Sequence, residues 1–154
     1  MDFSFTEEQD TLRREARAFL ADRYPPERID ELADSETGWD ADSWRELAEL
    51  GWLGVSIAEE HGGAGLGFLE EAVLIEELGR ALYTGPYFAT VGLALPALSP
   101  EQQAEVAAGD ARWSAEVDGL VPDLGSVDWV VVDGTAVRAQ GQVLPTLKRS
   151  GPSR

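Results

Sequence analysis

Apolar positions along the first half of the chain recur with a helical period. Thr6-Glu-Glu-Gln9 has the reciprocal form of a capping box, with Glu7, Glu8 and Asp10 in the turn behind it. Leu12, Ala16, Phe19 and Leu20 then fall at i, i+4, i+7 and i+8, one face of a helix, which Pro25-Pro26 ends. Pro26 opens a short second helix through Ile29, Leu32 and Ala33. Asp40 or Asp42 caps a third, with Trp44, Leu47, Ala48 and Leu50 apolar and Gly51 as its stop. By period alone, Trp52-Leu-Gly-Val-Ser-Ile57 fits a buried strand.

The next stretch, Ala58-Glu-Glu-His-Gly-Gly-Ala-Gly-Leu-Gly-Phe68, breaks this periodicity. Glycine at 62, 63, 65 and 67 marks a bend that needs positive φ or close backbone approach. A helix over 67–82 follows. It is apolar around most of its circumference through Phe68, Leu69, Ala72, Val73, Ile75, Leu78, Gly79 and Leu82, which predicts a central position. Thr84-Gly-Pro-Tyr87 is a turn. Residues 87–98 are almost all apolar and predict a buried helix with Pro96 as a kink site. Ser99-Pro100-Glu101-Gln102 starts another helix, closed by Gly109.

After Asp110 the pattern changes. Short β-branched or aromatic runs at 112–117, 129–132 and 136–139 alternate with the turn pairs Asp118-Gly119 and Asp133-Gly134. The tail at 148–154 has no period and should be loose. The expected fold is therefore mainly α: five to six helices over 1–110, a short antiparallel β segment over 111–147, and a basic tail.

Charge narrows the function classes. There are 29 acids against 12 bases, a formal charge of −17. Phosphate backbones and anionic lipid surfaces require clustered Lys and Arg, so neither nucleic acid nor membrane is an expected partner. The longest apolar run, 91–98, is too short for a membrane span. The absence of Cys excludes thiolate metal sites, and with an acidic N-terminus it fits a cytoplasmic protein.

Candidate chemistry is sparse. The glycines match neither G-x-G-x-x-G nor a P-loop, so a turn demanded by packing outweighs a phosphate cradle. His61, the single histidine, sits among acids in a polar loop, where a solvated or capping role is the commoner one. Glu59-Glu60, Glu70-Glu71 and Glu76-Glu77 are adjacent pairs; neighbours on a helix point about 100° apart and form no dyad. No metal site and no catalytic residue is expected. The one plausible ligand surface is the apolar segment Tyr87-Phe-Ala-Thr-Val-Gly-Leu-Ala-Leu95, whose small residues leave room beside Phe88 and Val91; plain core packing is the competing reading.

Four segments together resemble the acyl-CoA dehydrogenase family. They are Phe3-Ser-Phe-Thr-Glu-Glu-Gln9, Trp44-Arg-Glu-Leu-Ala-Glu-Leu-Gly-Trp-Leu-Gly54, the glycine loop, and Glu76-Glu-Leu-Gly-Arg-Ala81. The resemblance covers about residues 3 to 110 and implies an orthogonal helical bundle preceding a small β-domain. It implies that the segment around Tyr87, Phe88, Thr90, Val91 and Leu95 lines an acyl-chain pocket, and that Gly62, Gly63, Gly65 and Gly67 form a structural turn. Ala58 stands where the family usually has Pro, and His61 where it usually has an aromatic, so packing is the expected role for His61.

The family reaction is FAD-dependent α,β-dehydrogenation of an acyl-CoA thioester. A carboxylate removes the α-proton and a hydride passes to FAD. The segment Arg112-Trp-Ser-Ala-Glu-Val-Asp-Gly-Leu-Val-Pro-Asp-Leu-Gly125 lacks the family's flavin-contacting motif, and no segment matches the helical domain that supplies the base. FAD is thus implied by resemblance only and is not expected to be bound by this chain alone. The expected state is a homodimer, or a heteromer with a fuller acyl-CoA dehydrogenase-like subunit. The alternative is a non-enzymatic helical interaction module or an inactive remnant.

Overall fold

The computed structural model describes residues 4–139. The tail at 148–154 and the far end of the expected β segment lie outside the described residues. Helix α1 is Glu7–Arg23, α2 Pro26–Asp34, α3 Ala41–Glu49, α4 Phe68–Arg80 and α5 Pro100–Ala107. The strands are β1 Trp113–Ala115, β2 Trp129–Val132 and β3 Thr135–Arg138.

The capping signals form as read. Thr6 Oγ1 accepts from the Gln9 N–H and Gln9 Oε1 accepts from the Thr6 N–H. Ser99 and Gln102 repeat the exchange at the start of α5. The two long helices, α1 and α4, lie side by side and in the same direction. Gln9 Nε2 donates to Glu70 Oε1 at 2.8 Å near one end, and Arg17 reaches Glu77 near the other. The core between the helices joins Ala16, Leu20, Trp44, Leu47, Leu53, Leu74 and Tyr87.

Three expectations are corrected. Trp52–Gly54 is a 3₁₀ turn, not a strand: Gly51, with φ +74°, turns the chain too sharply to extend it. The segment after Tyr87 is a π-helix over Phe88–Ala94 followed by a 3₁₀ turn, Leu95–Ala97, instead of one kinked helix. The β segment is mixed. β2 and β3 pair antiparallel through the Asp133-Gly134 turn, but β1 pairs parallel to β2, with Trp113 opposite Trp129. A parallel pair needs a long connection, and residues 116–128 supply it.

The central position expected for α4 holds for part of its surface. Val73, Leu74 and Leu78 are buried, whereas Phe68 is 72% and Leu69 55% exposed, and Leu82 just beyond the helix is also open.

Candidate functional site

The glycine loop spends its backbone on the chain beneath it. The N–H groups of Ala64, Gly65 and Leu66 donate to the carbonyls of Gly54, Ile57 and Val55 at 2.9, 2.8 and 3.0 Å. Gly63 N–H donates to Ala58 O at 3.1 Å, and Gly67 N–H to Glu70 Oε2 at 2.9 Å. A phosphate cradle needs such donors free; here they are taken. Gly62 and Gly65 have φ of +81° and +64°. Gly63 serves close approach, because a Cβ there would stand 2.1 Å from Ile57 O. His61 is half-buried, with Nε2 3.4 Å from Glu60 Oε1, on a cleft of about 490 Å³ between the loop and α5.

Behind the loop, Glu71 is a buried carboxyl with no cationic partner among the described residues. Ser56 Oγ donates to its Oε2 at 2.7 Å. Burial raises its pKa and the serine bond opposes the rise. Glu77, equally buried, has the opposite environment. Arg17 Nε and Nη2 grip it at 2.9 and 2.7 Å, and this hydrogen-bonded pairing lowers its pKa.

The π-helix divides the five proposed pocket residues. Tyr87, Thr90, Val91 and Leu95 point into the protein and are buried. Tyr87 Oη donates to Trp52 O at 2.8 Å, and burial drives its pKa up. Thr90 Oγ1 holds the backbone of Trp113 on β1. Only Phe88 is exposed, at 52%. Its ring lies over Gly92, where an added Cβ would be 2.8 Å from Phe88 Cδ2 and 3.5 Å from Ile75 Cδ1. The wide π turn, closed by Leu95 N–H on Thr90 O, thus separates a buried side from an outer one.

On α4, Phe68, Ala72 and Ile75 follow at i, i+4 and i+7, so they share a face that reaches Gly92 at Ile75. Phe68 and Ile75 were absent from the sequence-based pocket, though their helical spacing alone could have flagged them; Gly92 was among the small residues of the apolar segment 87–95.

Among the described residues no cluster of three His, Cys, Asp or Glu side chains is placed to hold a metal. No described helix is long and apolar enough to cross a membrane. The Arg112 and Ser114 side-chain donors of the β segment, which could meet a flavin, are committed to the chain itself. Arg112 binds both oxygens of Asp128 at 3.0 and 2.9 Å, and Ser114 Oγ donates to Pro122 O at 2.7 Å. Trp113 stacks on Trp129 at 5.7 Å, with Arg138 across the Trp129 ring at 4.4 Å. Arg112 and Ser114 thus spend their polar groups within the chain, while Trp113 Nε1 is buried without a hydrogen-bond partner among the described residues.

The pattern of the family "Acyl-CoA dehydrogenase, N-terminal domain" matches residues 6–109. The chain belongs to the acyl-CoA dehydrogenase family. Within it, the chain is 32% identical over 136 residues to acyl-CoA dehydrogenase IpdE2 of Mycobacterium tuberculosis, covering 84% of this chain and 43% of that protein. It is 33% identical over 96 residues to acryloyl-CoA reductase (NADH) of Anaerotignum propionicum, covering 62% of this chain and 24% of that protein. Among solved structures, the ChsE4–ChsE5 complex from Mycobacterium tuberculosis superposes with a TM-score of 0.73 at 27% identity, over 90% of this chain and 48% of that one. A variant of the Tcur3481–Tcur3483 steroid ACAD gives 0.65 at 32% identity, over 77% and 35%. The chain therefore spans less than half the length of these acyl-CoA dehydrogenase relatives.

Proposed function

We propose that this chain works as a subunit of an FAD-dependent acyl-CoA dehydrogenase, beside a fuller family member that carries FAD and the base. The observation that carries this reading is the exposed ring of Phe88 on the segment that the family resemblance assigns to the acyl chain, with half-buried Ile75 of α4 beside Gly92 and exposed Phe68 on the same helix face. Large exposed apolar patches on soluble proteins mark partner or ligand contacts. In this reading Phe88 and Gly92 shape the wall for the acyl group, while Tyr87, Thr90, Val91 and Leu95 hold the π-helix from behind. Two of the structural relatives are named as two-component assemblies, which supports a heteromer. One is a steroid ACAD, which makes a steroid acyl-CoA thioester the first substrate class to try. The site of action in this reading is the cytoplasm.

The test is co-expression with a fuller acyl-CoA dehydrogenase-like subunit from the same genome. A co-purifying yellow complex that reduces an electron-accepting dye with an acyl-CoA is expected, while the chain alone is colourless. Stoichiometric FAD on the chain alone, surviving gel filtration, overturns the division of labour. A stable, colourless homomeric assembly with no flavoprotein partner favours the interaction-module reading, which the internally paired donors of the β segment also support.

A further inference from the structure

A second site lies away from the Phe88 face, where α1 ends and α2 begins against the end of α4. Pro25-Pro26 stops α1 and starts α2 at once, splaying the two helices. The wedge is a groove of about 350 Å³. Leu20 and Tyr24 are its buried apolar residues, and Ala21, Ile29, Ala81 and Leu82 add to the apolar lining. Arg17, Arg80 and the carboxylate of Glu77 line it as well.

Two features at this groove go beyond what packing requires. The first is Arg80. Among the described residues its guanidinium makes no hydrogen bond: Glu77 Oε2 is 3.6 Å from Nε and Glu76 Oε1 3.9 Å from Nη2. Arg17 spends Nε and Nη2 on Glu77, and Arg13 bonds Glu76 at 2.9 Å. Three guanidinium groups thus converge on two carboxylates, a local positive surplus on a chain of charge −17. The second is Leu82. It follows α4 in the left-handed region, φ +56°, with 60% of its surface exposed. Glycine is the usual residue in that conformation after a helix. Leucine there keeps an apolar side chain in the groove lining against backbone strain.

We propose that this groove binds a medium-chain carboxylate, its aliphatic body on Leu20, Tyr24, Ile29 and Leu82 and its carboxylate on Arg80. An apolar cavity of this size with one or two convergent charged groups is the usual form of a small-molecule site. A planar guanidinium with free donors matches a carboxylate bidentately. The site is independent of the proposed acyl-CoA function and of the Phe88 face.

The test is calorimetric titration of the full chain with octanoate, 1-octanol and acetate. Octanoate binds at one site, 1-octanol several-fold more weakly, and acetate not measurably. Arg80→Gln weakens octanoate about tenfold. Ala21→Trp, at an exposed groove residue, blocks it with the helical spectrum intact, while Phe88→Ser leaves it unchanged. Equal binding of octanoate and 1-octanol, or full octanoate affinity in either Arg80→Gln or Ala21→Trp, overturns the proposal. So does loss of binding in Phe88→Ser, which would move the ligand to the other face.

Discussion

Thr90 Oγ1 donates to the Trp113 carbonyl at 2.7 Å and accepts from the Trp113 N–H at 3.0 Å. One buried hydroxyl therefore satisfies both backbone groups of the first residue of β1, and it is the polar seam between the helical part and the sheet. Thr90→Val keeps the shape and removes both bonds. Two buried groups lose their partner, each costing about 1–3 kcal/mol. A loss of about 2–4 kcal/mol in urea unfolding is expected, with an unchanged m-value. An unaltered midpoint would show that the seam contributes nothing.

Gly62 and Gly63 are adjacent but do different work, so their alanine variants should differ. Gly62→Ala meets open space at φ +81° and should cost about 1–2 kcal/mol of backbone strain. Gly63→Ala drives a methyl to 2.1 Å from Ile57 O and 2.5 Å from Ile57 Cβ, where backbone must move. A larger loss, of about 3 kcal/mol or more, follows. Thermal melts of the pair decide it; equal midpoints refute the close-approach role.

Glu77 and Glu71 should move stability with pH in opposite senses. The folded pKa of Glu77 is depressed, first by its hydrogen bond to Arg17. Its contribution is present above the ordinary glutamate value of 4.5 and is lost as pH falls through the lower folded value. Glu77→Gln leaves Arg17 without its partner and should cost about 3 kcal/mol at pH 7, less at acid pH. The folded pKa of Glu71 is raised by burial. Its contribution is present below 4.5 and lost as pH rises through the raised folded value. Glu71→Gln retains an acceptor for Ser56 and should stabilise the protein at pH 7, the gain vanishing below 4.5. Unfolding curves of both variants across acid to neutral pH provide the check, and parallel trends would contradict the assignment.

The exposed apolar side chains predict association held by contact rather than charge. Phe68→Ser with Leu69→Ser should dissociate a homomeric or heteromeric assembly while changing monomer stability by less than about 1 kcal/mol, because both are largely exposed. Salt should leave a homomeric assembly intact or strengthen it, since screening weakens like-charge repulsion. A compact monomer in sedimentation at low and high salt would argue against this surface.

The sequence by itself determined the helices and their caps. Thr6 with Gln9, Ser99 with Gln102 and Pro26 at a first helical position are local signals: each is satisfied within four residues, and period and capping chemistry are enough to read them. It also determined the Asp133-Gly134 hairpin and the family. Tertiary contacts decided the rest. Trp52-Leu53-Gly54 became a 3₁₀ turn because Gly54 packs under Gly63 and Ala107, with an added Cβ only 3.1 and 3.0 Å from them, an approach set by residues far along the chain. The parallel pairing of Trp113 with Trp129 likewise rests on a connection whose path no local pattern specifies. The candidate pocket shows the same limit. Composition marked 87–95 as apolar, but which side chains face inward depends on a π turn whose fifth-residue hydrogen bond shifts the helical phase. Phe88 thereby stands outside over Gly92, while Tyr87 and Thr90 are drawn inward by Trp52 and Trp113, partners separated from them by 35 and 23 positions.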